Sequence, residues 1–86
     1  MTYTVEFSPS ARKMFKKLSQ YLQDCIQPKI DALAIEPRPS GVKKLKGEDN
    51  TYRIRIGIYR VIYEIEDNLL LVTVIKVGGR GDVYND

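Results

Sequence analysis

The stretch from Tyr52 to Ile65, read with Thr51 as TYRIRIGIYRVIYEI, constrains the fold more than any other part of the chain. Side chains alternate sides along a strand, so Tyr52, Ile54 and Ile56 share one face while Arg53 and Arg55 share the other. Gly57 supplies the positive φ of a two-residue turn with Ile58, of the type that puts glycine first. This register sets Ile56 opposite Tyr59, Arg55 opposite Arg60, Ile54 opposite Val61 and Tyr52 opposite Tyr63. One face then carries Tyr52, Ile54, Ile56, Tyr59, Val61, Tyr63 and Ile65 and belongs to a core. The other gathers Arg53, Arg55 and Arg60, with Glu64 as its only acid.

Like charges facing each other across a strand pair cost a few tenths of a kcal/mol up to about 1 kcal/mol. Folding alone gives no reason to place them there. A lone Arg-x-Arg is ordinarily a solvated face that keeps a sheet soluble. Here Arg60 joins it across the hairpin, and three guanidinium forks on one sheet suit the oxygens of a polyanion.

The rest of the composition narrows the class. A chain of 86 residues with 43% hydrophobic and 29% charged residues is globular and has the length of one small domain, spanning 1–86. No apolar run approaches the roughly 20 residues of a membrane span and no signal peptide opens the chain, so a cytoplasmic protein is expected. The lone Cys25 fits a reducing compartment and reads as a small buried hydrophobe, because the chain has no histidine to activate it as a nucleophile. Net charge is only +3, but 12 of the 14 Lys and Arg residues lie at or before Arg60. Such a patch points to nucleic acid or an acidic protein partner.

Along the chain, Thr2 to Phe7 alternates as a first strand. Ser8-Pro9 opens a helix in which Ala11, Met14, Phe15 and Leu18 face inward while Arg12, Lys13, Lys16 and Lys17 face out, as a solvated surface or an RNA contact. Ser19 caps a second helix with the buried stripe Leu22, Ile26, Ile30, Leu33 and Ala34; Pro28 inside it predicts a kink near Asp24 or a break. Glu36-Pro-Arg-Pro-Ser-Gly41 is a loop. In Val42–Gly47, Leu45 anchors while Lys43, Lys44 and Lys46 point outward. Leu69 to Val77 is apolar on both faces, as expected of a central strand, and Gly78-Gly79-Arg80-Gly81 should break it. The expected class is therefore α+β: an N-terminal strand, an antiparallel helical hairpin, then a mostly antiparallel sheet of three to four strands with helices on one face. The other sheet face is expected to be open and to hold the arginines.

With no His, no Cys pair and no acidic cluster at ligand spacing, neither a metal nor another cofactor is expected. Cations and tyrosines can still cleave RNA, because the ribose 2′-hydroxyl is a nucleophile already present beside each phosphate. Arginines can hold the backbone in line and stabilise the charge of the transition state, but they stay protonated and cannot act as base. Tyr84 is the candidate for proton transfer, since neighbouring cations would lower its phenol pKa; on spacing it serves equally as an apolar lid over the last strand.

The combination of Lys44-Leu-Lys-Gly47, the YRIRIGIYRVIY string of Tyr52–Tyr63, Val77-Gly-Gly-Arg80 and Asp82-Val-Tyr84 resembles the RelE toxins of bacterial and archaeal toxin–antitoxin pairs. The N-terminal Tyr-x-Val-x-Phe-Ser-Pro-x-Ala extends the resemblance over almost the whole chain. The string is specific to the wider RelE/ParE superfamily, and the final Gly-x-Arg and Val-Tyr lean toward RelE. The resemblance implies a ribosome-dependent, metal-independent endoribonuclease that cuts mRNA in the decoding site, and a heteromeric complex with a cognate antitoxin. By position, Arg53 and Arg55 match a basic pair, Arg60 and Arg80 the phosphate-stabilising arginines, and Tyr84 a C-terminal tyrosine. Lys43, Lys44 and Lys46 form the accompanying RNA-binding group, with Lys44 and Lys46 where the family contacts ribosomal RNA.

Many relatives have Lys at the positions of Arg53 and Arg55, and many have His where this chain has Gly79. The chain ends at Asp86, where some relatives add a C-terminal helix. A lysine could serve as a base where an arginine cannot, so the general base stays open. Two other classes compete: a ParE-like protein that inhibits DNA gyrase by binding alone, and an inactive toxin fold kept as an antitoxin-bound regulator.

Overall fold

In the computed structural model, which describes residues 2–47 and 49–79, the hairpin closes on the turn that its glycine specifies. Strands β3 (Thr51–Ile56) and β4 (Tyr59–Glu66) pair in the expected register, with Ile56 opposite Tyr59, Arg55 opposite Arg60 and Tyr52 opposite Tyr63. Gly57 has φ +64 and Ile58 is not in the positive-φ region, the pattern of a turn with glycine at its first central position.

Strand β1 (Thr4–Phe7) leads into helix α1 (Pro9–Lys16), whose first turn is capped by Ser8 through the Ala11 amide at 3.1 Å. Ser19 caps α2 (Gln20–Asp31) in the same way through Leu22, at 3.2 Å, and a short 3₁₀ turn, Ala32–Ala34, follows. Strand β2 is only Lys43–Lys44, and β5 spans Leu71–Gly79. The five strands lie in the order β1-β5-β4-β3-β2, with β1 parallel to β5 and every other pair antiparallel. This is the expected α+β class. Strand β5 is interior, between β1 and β4, and β4 occupies the middle of the sheet.

The core face of the hairpin meets the helices as its alternation requires. Phe15, Ile26, Ile30 and Leu33 pack with Tyr52, Ile54, Val61, Tyr63, Ile65, Val72, Val74 and Val77 in one apolar cluster. Each of these aliphatic side chains contributes roughly 1.5–3 kcal/mol on burial.

Four expectations are corrected. Helix α2 runs from Gln20 to Asp31 through Pro28, so of the two outcomes expected of the proline, a kink or a break, the break does not occur. An interior proline costs about 3 kcal/mol, yet Ile26 and Ile30 on either side are 1% and 0% exposed, and their burial outweighs the one backbone hydrogen bond that proline cannot donate. Cys25 is exposed, because the helical period that turns Ile26 and Ile30 inward turns its neighbour out. Gly78 and Gly79 do not break the last strand but pair with Arg60 and Tyr59; Arg80 and Gly81, the rest of the expected break, lie outside the described residues. The strand also begins later than its apolar run. Asp67–Leu69 forms a 3₁₀ turn, and Leu70 takes φ 49, a left-handed conformation costing a leucine about 1–2 kcal/mol. There its amide reaches the Asp67 carbonyl at 3.2 Å and its carbonyl accepts the Thr4 amide at 2.7 Å, which starts the β1–β5 pairing.

The loop Glu36–Gly41 is tied to the sheet by one arginine. Arg38 forms a two-point ion pair with Asp67 (2.8 and 3.2 Å), donates from Nε to the Tyr52 hydroxyl at 3.2 Å, and lies over the Tyr52 ring at 5.2 Å from its centroid. Tyr3 donates its hydroxyl to the same Asp67 at 2.5 Å, and the buried Tyr63 hydroxyl donates to the Pro37 carbonyl at 2.7 Å. Loop, first strand and the β4–β5 connection are thus held at one point.

Candidate functional site

The face of the sheet turned away from the helices carries the sequence-predicted residues. Arg55 and Arg60 are partners across the β3–β4 ladder, Arg53 lies two residues along from Arg55, and Gly78 sits on the far side of Arg60. The short strand β2 adds Lys43 directly beside Arg53. Lys44 pairs with Tyr52 and so has the alternate orientation at the sheet edge, exposed. Of the candidate RNA contacts, Lys43 therefore joins the arginine cluster and Lys44 does not. Lys46 lies a short way along the same face. Arg80 and Tyr84 lie outside the described residues.

The arginines are not the open cluster that alternation suggests. Arg53 and Arg60 are buried, at 6% and 5% exposure, and each has an interaction of its own; Arg55 is exposed. Sheet position explains the division. Arg53 has a neighbouring strand on both sides, Lys43 on one and Ile62 on the other, and Arg60 stands on the middle strand between Arg55 and Gly78. Pairing through β2 ends before Arg55, so that side chain has a neighbour on one side only. A glycine beside Arg60 leaves room for its long side chain to settle against the sheet.

The same face has a floor that the sequence did not disclose. Leu45, Ile62 and Ile75 form a second, small apolar cluster. Around it lies an open cavity of about 240 Å³ lined by these three with Lys46, Thr51, Glu64 and Lys76. Lys76 reaches this face because the β4–β5 register shifts between Ile62 and Tyr63: Lys76 pairs with Ile62 and Val74 with Tyr63, leaving Ile75 as the extra residue of a bulge. Strict alternation would misassign Lys76, and the apolar run around it gives no mark of the bulge. Among the described residues no three His, Cys, Asp or Glu side chains converge. The face offers cations and an apolar floor, with the Glu64 carboxylate in the lining of the cavity.

The perturbed titrations lie at the clasp behind this face. Hydrogen bonds from Arg38 and then from Tyr3 hold the Asp67 carboxyl below its ordinary range. The hydrogen bond to Asp67 pushes the Tyr3 phenol up. Burial pushes the Tyr63 phenol up, well past the usual tyrosine value. Because Arg38 also holds Tyr52, stacked on Tyr63 with centroids 6.1 Å apart, the clasp fixes the strand position immediately before Arg53. The sequence around Arg38 marks only a proline-rich loop and carries no sign of this role.

The chain matches the family described as ParE toxin of type II toxin–antitoxin system, parDE, over residues 5–84. It is 32% identical over 85 residues to toxin RelG of Mycobacterium tuberculosis, with 98% of both chains covered. It is 30% identical over 90 residues to the mRNA interferase toxin RelE of Escherichia coli strain K12, covering 100% of this chain and 94% of the relative. Among solved structures, the archaeal RelE-RelB complex from Pyrococcus horikoshii OT3 superposes with a TM-score of 0.82 at 31% identity, covering 96% of this chain and 100% of that one. The intact E. coli RelBE toxin-antitoxin complex gives 0.80 at 29% identity, with 90% and 95% covered. The chain belongs to the RelE/ParE superfamily of type II toxins and is of the RelE type. No helix among the described residues is long and apolar enough to cross a membrane.

Proposed function

We propose that this protein is a ribosome-dependent endoribonuclease that cuts mRNA in the decoding site and so inhibits translation. The observation that carries this reading is the direct opposition of Arg55 and Arg60 on the sheet face that also bears Arg53 and Lys43. Guanidiniums set in register present donor forks that match the oxygens of one phosphate group. In the reaction the 2′-oxygen attacks the adjacent phosphorus as the P–O5′ bond breaks, leaving a 2′,3′-cyclic phosphate and a 5′-hydroxyl. Arg55, Arg60 and Arg80 stabilise the charge that develops on the phosphoryl oxygens, and Arg53 fixes the backbone in line. Tyr84 transfers a proton, since arginine stays protonated. No step needs a metal ion. Lys43 and Lys46 bind RNA beside the scissile bond, and Lys44, turned the other way at the sheet edge, binds RNA farther from it. The likeness to RelE in complexes with RelB supports a cognate antitoxin as partner, and the proposed substrate places the protein in the cytoplasm.

One observation favours a second reading: the matching family model is described as ParE. A gyrase-inhibiting binder would need no opposed arginines, only a docking face. The two are separated by incubating the protein with programmed ribosomes, locating cuts by primer extension, and running a gyrase supercoiling assay in parallel. Cuts within the decoding-site codon support the nuclease. Inhibited gyrase without cuts makes the arginine face a docking surface.

A further inference from the structure

Helix α1 and its C-cap carry four cations on an outer face that the arginine site does not use. Arg12, Lys13, Lys16 and Lys17 are all exposed, while Ala11 and Phe15 on the opposite side are buried against the sheet. The spacing of 12/13 and 16/17 places them in two rungs of one stripe, about 6 Å apart along the axis. Among the described residues none of the four pairs with a carboxylate, whereas Arg38 pairs with Asp67 elsewhere in the molecule. The acids of the neighbouring helix, Asp24 and Asp31, instead accept hydrogen bonds from Gln20 and Gln27.

Local stability does not account for this pattern. The helix dipole favours cations at the last turn, which suits Lys13, Lys16 and Lys17. It disfavours Arg12, near the helix start, and close cations repel one another. Arg12 is nevertheless held in place, over the Phe7 ring at 5.6 Å from its centroid. Beside it a groove of about 160 Å³ runs between the helices, lined by Phe7, Arg12, Phe15, Lys16, Gln23 and Gln27.

We propose that this face of α1 is a second contact for an RNA phosphate backbone, separate from the arginine face. The helix lies across β5 on the core side of the sheet, whereas Arg53, Arg55 and Arg60 face the other way. The protein would then be gripped between two RNA segments, mRNA on the sheet face and structured ribosomal RNA on the helix. RNA fits better than an acidic protein. Lysine is depleted from protein interfaces, which need an apolar anchor at their centre, and the large exposed hydrophobics Tyr21, Ile35, Ile58 and Leu69 all lie outside this stripe. A phosphate backbone asks only for charge and donors.

The inference rests on the ribosome-dependent reading and is tested apart from it. The affinity of the whole protein for programmed ribosomes is measured at several salt concentrations, for wild type and for the variant Arg12→Gln/Lys13→Gln/Lys16→Gln/Lys17→Gln. Expected are at least a tenfold weaker affinity near 0.1 M salt and a slope of log affinity against log salt shallower by about two to four. The cleavage rate at saturating ribosomes should be unchanged. The charge-conserving variant Arg12→Lys/Lys13→Arg/Lys16→Arg/Lys17→Arg should bind as wild type does. The milder Lys13→Gln/Lys17→Gln, which keeps both cations of the groove, should show about half the slope change and guards against misfolding of the fourfold variant. Unchanged affinity and slope in a wild type that cuts ribosome-bound mRNA overturns the second contact and leaves the proposed function standing. A wild type that neither binds nor cuts overturns both.

Discussion

Tyr63 has no exposed surface, and its hydroxyl has one partner in view, the Pro37 carbonyl at 2.7 Å. Tyr63→Phe keeps the ring and strands that carbonyl, so a loss of about 1 kcal/mol, at most about 3, is expected in a denaturant midpoint, with the slope unchanged. Asp67 makes a pH prediction. Its folded pKa is depressed, chiefly by Arg38, below the roughly 3.9 of an unfolded aspartate. A depressed carboxylate adds stability above the unfolded value and loses it as pH falls through the folded one. Melting temperature should therefore decline below about pH 4, and Asp67→Asn should flatten that acid limb; the effect is small because both partners are partly exposed, at 40% and 58%. An unchanged limb would mean the clasp carries no titrating stability. None of this clasp was legible in the sequence. Arg38 and Asp67 are 29 residues apart and belong to a loop and a turn, and no periodicity relates such positions. The hairpin arginines were legible because alternation fixes their face, but their burial was not, since that depends on which strands flank each rung.

At the scale of elements, the hairpin was readable to the residue, because Gly57 pins the turn and the turn pins every pair behind it. Both helix starts were readable from Ser8 and Ser19, and the buried stripe of α2 from its period. Two elements escaped for physical reasons. In β5 a one-residue bulge carries Lys76 to the arginine face, and an apolar run contains nothing that marks where the phase slips. In α2 both the local penalty of Pro28 and the burial of Ile26 and Ile30 were visible, but the pattern alone carries no measure of which outweighs the other. The override has a measurable consequence. Pro28→Ala restores a donor to a helix that is already formed and should raise stability by about 1 kcal/mol, within the roughly 3 kcal/mol that interior proline costs. A destabilised Pro28→Ala would show instead that the proline shapes the helix for packing.

For the molecule as a whole, the sheet divides two tasks. One face, with the helices, supplies the core; the other, free of helices among the described residues, carries cations in register around an apolar floor. The fold's stability should therefore be nearly independent of the exposed arginine on the second face, while the proposed chemistry should depend on it. The most direct test is the single-turnover cleavage rate of mRNA on programmed ribosomes by Arg55→Ala, measured beside its denaturant midpoint. A rate lowered by about 10²–10³, with the midpoint within ~0.5 kcal/mol of wild type, is the expected result. An unchanged rate, or a rate that falls only in step with stability, would contradict the account.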